Sequence, residues 1–138
     1  MATRLVRDLF EGKFRQLITI SPDATVQEAL ESMASKRISA LPVMAGGPNL
    51  LGIISERDYI RRVVPRRIAP WDVLVKDVMT EKVIYATMDN TVRECMDLML
   101  THRFRHLPVL DDKRPVAMLS ISDLLQALRA ARIDFPPA

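Results

Sequence analysis

The sequence predicts an α+β fold, α/β-like in its alternation, built from two copies of one strand, helix, strand, strand, helix unit. Three observations predict it. Residues 18–43 fall onto residues 84–109 at a constant offset of 66, both reading IxxxxDxTVxExxxxMxxxRxxxLPV, with ten identities in twenty-six positions. The match continues outward: Leu5, Val6 and Asp8 return as Leu74, Val75 and Asp77, and Ser55 and Asp58 return as Ser120 and Asp123, so length changes fall in loops. In each copy, apolar residues at helical spacing follow a capping signal, and short apolar runs bounded by turn residues follow the helix.

The elements follow in order. Leu17 to Ile20 reads as a short strand ended by Ser21 and Pro22. Thr25-Val-Gln-Glu28 is a capping box, in which hydroxyl and carboxylate satisfy orphan amides at a helix start. Val26, Ala29, Leu30 and Met33 give that helix one apolar face, with Glu31, Ser32 and Lys36 outward. Leu41 to Met44, a turn at Ala45-Gly-Gly-Pro48, and Leu50 to Ile54 predict two neighbouring strands. Ser55-Glu-Arg-Asp58 opens a second helix carrying Tyr59, Ile60, Val63 and Val64 up to Pro65. The second copy repeats each step: Val83 to Ala86, a helix from Thr91, Leu107 to Leu110, a tight turn at Asp111-Asp-Lys, Val116 to Leu119, and a helix from Ser120 to about Arg132.

A three-stranded sheet with helices on one face leaves its other face uncovered. Two such units related by a pseudo-twofold axis are therefore expected to pack sheet to sheet, with clefts between them. Residues 1–64 form the first repeat and 74–138 the second. Residues 65–73, PRRIAPWDV, form an ordered strap, because two prolines and a tryptophan oppose free flexing.

Composition narrows the function classes. The chain has 138 residues, 49% hydrophobic, and a net charge of +3. No apolar run approaches the ~20 residues that cross a bilayer, and MATRLVRDLFEGKFR lacks the apolar stretch of a secretory signal, so a cytoplasmic protein with no membrane partner is expected. Cys95 stands alone and its repeat-mate is Ala29, which fits a small buried residue rather than a disulfide or metal thiolate. His102 and His106 are four apart, but Pro108 places a helix end before His106 and no third ligand accompanies them, so no metal site is expected. There is no nucleophile and base pair and no glycine-rich phosphate loop, so no enzyme and no catalytic cofactor are expected. Aromatics are 5% of residues and no nucleic-acid reading motif is present. The run Arg61 to Arg67 reads first as cations at a helix C-terminus.

The duplicated unit, with LPV on its second strand and a Ser-x-x-Asp junction after its last, resembles a tandem pair of CBS domains, also called a Bateman module, from about Arg4 to Arg129. The resemblance implies a regulatory binder of adenosine compounds: AMP, ADP or ATP, with NAD(H) and S-adenosylmethionine also in the class. It implies a homodimer and an output to a protein effector in trans. Asp58 and Asp123 would be the ribose carboxylates, with Ser55, Ser120 and Ser122 beside them. A carboxylate in a helix's first turn can accept from both ribose hydroxyls while the helix start offers amides to phosphate. The adenine contacts would come from Lys13, Gln16, Ile18, Ile38, Ser39 and Pro42 for the Asp123 cleft, and from Lys82, Ile84, Phe104, Arg105 and Pro108 for the Asp58 cleft.

The two clefts differ in sequence. Before the second strand, repeat one has Ser39-Ala40 where repeat two has Arg105-His106, and charge-assisted bonds to phosphate are about twice as strong as neutral ones, which favours the Asp123 cleft for AMP. The Asp58 cleft has Arg57, Arg61 and Arg62 on its own helix, suited to a ligand reaching outward. Ala117 stands where Gly52 stands in the first copy. A positive φ or a close ligand approach there would impair the second cleft, whereas a plain extended strand would not. The rival readings are Ser-x-x-Asp junctions that only cap helices, a ligand-free dimerisation module, and a nucleic-acid binder using residues 61–67.

Overall fold

The computed structural model describes residues 4–10 and 17–130. It is an α+β structure with a two-stranded and a three-stranded sheet. The elements are α1 (Val6–Leu9), α2 (Val26–Lys36), β1 (Ala40–Val43), β2 (Gly52–Ser55), α3 (Glu56–Asp58), α4 (Val75–Val78), β3 (Ala86–Thr87), α5 (Val92–His102), β4 (His106–Asp111), β5 (Arg114–Ser120) and α6 (Ile121–Ala130). A π-helical turn, Tyr59–Val63, and a 3-10 turn, Val64–Arg66, prolong α3, and a second 3-10 turn spans Pro70–Asp72. The strap between the repeats is thus built of regular turns.

The helix starts form as their sequences dictate. Thr25 Oγ1 accepts the Glu28 amide at 3.1 Å and Glu28 Oε2 accepts the Thr25 amide at 3.2 Å; Thr91 and Glu94 repeat this at 3.0 Å in each direction. Both helices end on an arginine in the left-handed region, Arg37 at φ 56° and Arg103 at φ 57°. These are two of the repeated identities, and each supplies the αL turn that closes a helix. His102 closes α5 and His106 opens β4, so the two histidines share no helical face.

The first strand of each repeat is shorter than its apolar run suggests, whereas β4 and β5 run longer than expected, His106–Asp111 and Arg114–Ser120. Leu17 to Ile20 contributes a single parallel bridge, Ile20 to Val43. β1 and β2 pair antiparallel, Leu41 opposite Ile54. Of the strand expected at Val83 to Ala86 only Ala86 lies in β3, which is two residues long and pairs parallel with Val109 and Leu110. At the β4–β5 turn, Asp112 and Lys113 both have positive φ, 50° and 64°, the backbone of a hairpin turn whose twist matches the strands.

The chain divides into two compact units. One comprises Leu17–Val83 with Lys113–Pro115; the other comprises residues 4–10, Ile84–Asp112 and 116–130. Each unit therefore joins one repeat to the leading helix of the other. In the second unit the Val6 amide donates to Asn90 O at 2.8 Å and the Val92 amide to Arg4 O at 2.9 Å. In the first, the Val75 amide donates to Ala24 O and the Val26 amide to Val73 O, both at 2.8 Å. Val6 is fully buried in one core, with Val92, Cys95, Met99, Leu107 and Leu119; Val75 is fully buried in the other, with Val26, Met33, Leu41 and Ile54. Burying a valine fully contributes about 1.5–3 kcal/mol, enough to fix a four-residue helix that has little stability of its own. The exchange also explains why Asp23 and Asp89 recur. Each meets a cation of the arriving helix: Lys76 at 3.2 Å from Asp23, and Arg7 beside Asp89.

Candidate functional site

The two Ser-x-x-Asp junctions have the same local geometry, each within its own unit. Ser120 lies at the end of β5 and Asp123 in the first turn of α6. Asp123 Oδ2 accepts the Ser120 amide at 2.8 Å and the Ser120 hydroxyl at 3.0 Å, while Ser120 Oγ accepts the Asp123 amide at 3.1 Å. In the first unit Asp58 Oδ2 accepts the Ser55 amide at 2.9 Å and hydroxyl at 3.1 Å, and Ser55 Oγ accepts the Asp58 amide at 3.2 Å. The reciprocal bonds arise because a β-conformation serine before a helix places its hydroxyl over the third amide. Capping is therefore present at both junctions, and it orients both carboxylates.

The segment before the second strand of each repeat meets the same junction. The Ile121 amide donates to Arg105 O at 2.9 Å, and the Glu56 amide donates to Ser39 O at 3.0 Å. Arg105 and the start of α6 are thus fixed together, with an exposed arginine side chain; Ser39 and the start of α3 are fixed together in the other unit. Ser122 is exposed and His106 half-buried.

The remaining predicted residues distribute by unit. Ile18, Ile38 and Ser39 are half-buried and Pro42 is buried in the unit of Asp58, where Ile18 and Ile38 pack on the core. Ile84 and Phe104 pack on the core of the unit of Asp123, Pro108 is buried in β4, and the Phe104 ring stacks on His102 at 5.5 Å. Lys82 is exposed and Arg57 half-buried. Lys13 and Gln16 lie outside the described residues.

The structure adds partners that the sequence did not show. Arg62 is exposed, but its Nη1 donates to the carbonyls of Val78 and Met79, both at 3.1 Å, and its Nε lies 3.9 Å from Asp58 Oδ1. Thr80, which carried no signal in the sequence because it has no identical repeat-mate, donates its hydroxyl to the same Oδ1 at 3.1 Å. Gly52 does not have the positive φ considered for it. Its missing side chain is required by the backbone of Thr80, which pairs with Ile53 in both directions at 2.8 and 2.9 Å.

The other candidates resolve simply. Cys95 is buried, and desolvation, reinforced by the Glu94 charge, raises its thiol from 9.0 to about 11. Among the described residues no group of three or more His, Cys, Asp or Glu could hold a metal ion, and no helix is long and apolar enough to cross a membrane.

Comparison with known proteins agrees with this architecture. The family model of the CBS domain matches twice, at residues 6–65 and 75–130. The mitochondrial CBS domain-containing protein CBSX3 of Arabidopsis thaliana is 39% identical over 110 residues, 77% of this chain and 53% of that protein; the chain thus spans about half the length of this relative. A crystal structure of a CBS domain, NE2398, superposes with a TM-score of 0.85 at 38% identity, covering 93% of this chain and 99% of that one. The CBS domain pair of protein MJ0100, solved in complex with 5′-methylthioadenosine and S-adenosyl-L-methionine, superposes with a TM-score of 0.80 at 23% identity, covering 94% and 99%; at that identity the likeness is one of fold. The duplicated unit, the paired Ser-x-x-Asp junctions and the double family match together establish that the chain belongs to the CBS-domain family, as a tandem CBS pair.

Proposed function

We propose that the chain is a regulatory module that binds an adenosine compound, AMP or a related adenine nucleotide, through the ribose hydroxyls at Asp123 and Asp58, and that a protein partner reads the bound state in trans. The observation that supports this best is the Ser120–Asp123 junction. It holds an oriented carboxylate in the first turn of a ten-residue helix, whose first amide donates to the Arg105 carbonyl. A carboxylate suits a vicinal diol because it only accepts and a diol can donate twice. A guanidinium suits phosphate because its donors form a planar fork. Arg105, His106 and Ser122 would serve the phosphate end of a ligand at Asp123. A CBS pair of the same fold with 5′-methylthioadenosine and S-adenosyl-L-methionine supports the ligand class without fixing the member. Self-association belongs to the same reading: Ile60 and Leu125, repeat-mates after the Ser-x-x-Asp junctions, are 62% and 43% exposed and are side chains that a homodimer would cover.

A thermal-shift screen over AMP, ATP, NADH and S-adenosylmethionine tests the proposal. A ligand at a hundred times its Kd adds about 2.7 kcal/mol, which is several degrees in a domain of this size. At least one compound is expected to raise Tm, and Asp58→Ala with Asp123→Ala together should remove the rise. A flat response to all four, or a rise that survives the double substitution, contradicts the reading.

A further inference from the structure

Residues 64–71 hold apolar and cationic side chains together on the surface of the unit that contains Asp58. Val64, Ile68 and Trp71 are 49%, 41% and 64% exposed, and Arg66 and Arg67 between them are exposed as well. Among the described residues neither guanidinium meets a carboxylate. The acidic side chains of α2, the helix on which Pro70–Asp72 packs, are engaged elsewhere: Glu28 accepts the Thr25 amide, and Glu31 accepts from the Gln27 side chain. The segment is also held in shape. Buried Val63 and Val73 anchor its ends, and its turns are closed by the Arg67 amide donating to Val64 O at 3.1 Å and the Asp72 amide donating to Ala69 O at 2.9 Å. Little ordering entropy is therefore lost when a partner covers it.

The mixture of side chains selects the kind of partner. Exposed tryptophan and arginine are the residues that dominate the energetics of protein interfaces. An isologous pairing of the segment would set Arg66 and Arg67 against their own copies, which disfavours a second copy of this chain. A membrane surface takes a continuous amphipathic helix, whereas Pro65, Pro70 and a left-handed Arg67 at φ 55° break this segment into short turns. A nucleic acid would find one aromatic ring to stack on, and its backbone offers nothing apolar to Val64 and Ile68. An acidic peptide with apolar residues matches both kinds of side chain.

We propose that residues 64–71 are the docking surface for an acidic segment of the protein partner, whose carboxylates pair with Arg66 and Arg67 and whose apolar side chains cover Val64, Ile68 and Trp71. The inference takes the existence of a protein partner from the reading above and adds the surface that this partner meets and the chemistry of the segment that meets it.

Trp71 is the one tryptophan of the chain, so its fluorescence reports directly on this surface. The full chain, without nucleotide, is titrated with a short synthetic peptide alternating glutamate and leucine, followed by Trp71 emission and, with a dye-labelled peptide, by anisotropy. Saturable binding with a blue shift of the emission is expected, and raised salt should weaken it. Arg66→Glu with Arg67→Glu should weaken binding about tenfold or more. Arg66→Gln with Arg67→Gln should move in the same direction and stands in if the charge-reversed chain does not fold, whereas Arg66→Lys with Arg67→Lys should keep most of the affinity. Trp71→Ala, read by anisotropy, should also bind more weakly. A wild type that leaves the peptide unbound, or neutralised and charge-reversed chains that bind as tightly as wild type, overturns the docking surface. So does an emission shift produced by an oligothymidylate or by phosphatidylserine vesicles but not by the peptide, or one that grows with protein concentration alone and so assigns the surface to a second copy. All these results leave the adenosine reading standing, because the thermal-shift screen decides it without the peptide.

Discussion

A Cβ placed on Gly52 would stand 2.7 Å from the carbonyl oxygen of Thr80 and 2.9 Å from the sulfur of Met79. The backbone oxygen cannot yield without breaking the Ile53–Thr80 pairing, so the glycine is required by the chain's own packing. Gly52→Ala is expected to lower stability by about 1–3 kcal/mol, the usual cost of overpacking, measured by urea denaturation. Ala117 is only 4% exposed within the other core, and Ala117→Gly should cost about 0.5–1 kcal/mol through backbone entropy alone.

The threonine caps should be worth similar amounts in the two repeats, since the geometries agree. Thr25→Ala and Thr91→Ala are each expected to cost about 1 kcal/mol. The second cap carries a pH signature. The Thr91 amide, followed by its hydroxyl and Asn90, holds the Glu94 carboxyl below its ordinary value. A carboxyl depressed in the folded state contributes stability that is present above its unfolded value and lost as pH falls through the folded one. Chevron or urea data across the acid range should show this loss in wild type and a shallower one in Glu94→Gln.

The two helix-ending arginines sit in a region that side chains enter at a cost. Arg37→Gly and Arg103→Gly should each raise stability by up to about 1 kcal/mol, because relief of the left-handed strain exceeds the added freedom of the unfolded chain. A loss of stability in both would show that the arginine side chains contribute more than the backbone strain costs.

Cys95 provides a check on the second core. A buried thiol raised to about 11 is protonated at pH 8 and should not react with a disulfide reagent until denaturant is added. Because the folded value is raised, the related stability is fully present below the unfolded value and fades as pH rises through the folded one, so stability should decline between about pH 9 and 11. Cys95→Ala should remove that decline.

The repeat and the four helix starts were legible because each rests on local chemistry: a hydroxyl three residues before a carboxylate, or apolar residues at a fixed spacing; the four-residue helices α1 and α4 were not read. What escaped was long-range. The flanking segment shows its repeat at an offset of 69, as Leu5 with Leu74 and Val6 with Val75, yet nothing in its composition says that each copy packs with the other repeat. The strand at Leu17 to Ile20 shrank to one bridge because its partners, not its own residues, decide how far a ladder runs. Thr80 and the bonds of Arg62 to the Val78 and Met79 carbonyls were invisible for the same reason. A threonine after Met79 acquires meaning only when the Ile53 pairing brings its hydroxyl to Asp58.

The most direct measurement is a paired titration of the full chain with AMP and with 2′-deoxyadenosine monophosphate. If Asp123 accepts both ribose hydroxyls, loss of one charge-assisted hydrogen bond, about 1.5–3 kcal/mol, should weaken the deoxy compound by roughly 10- to 150-fold, and Asp123→Ala should bring the two compounds level. Equal affinity of wild type for both nucleotides, or a difference that persists in Asp123→Ala, would contradict the account.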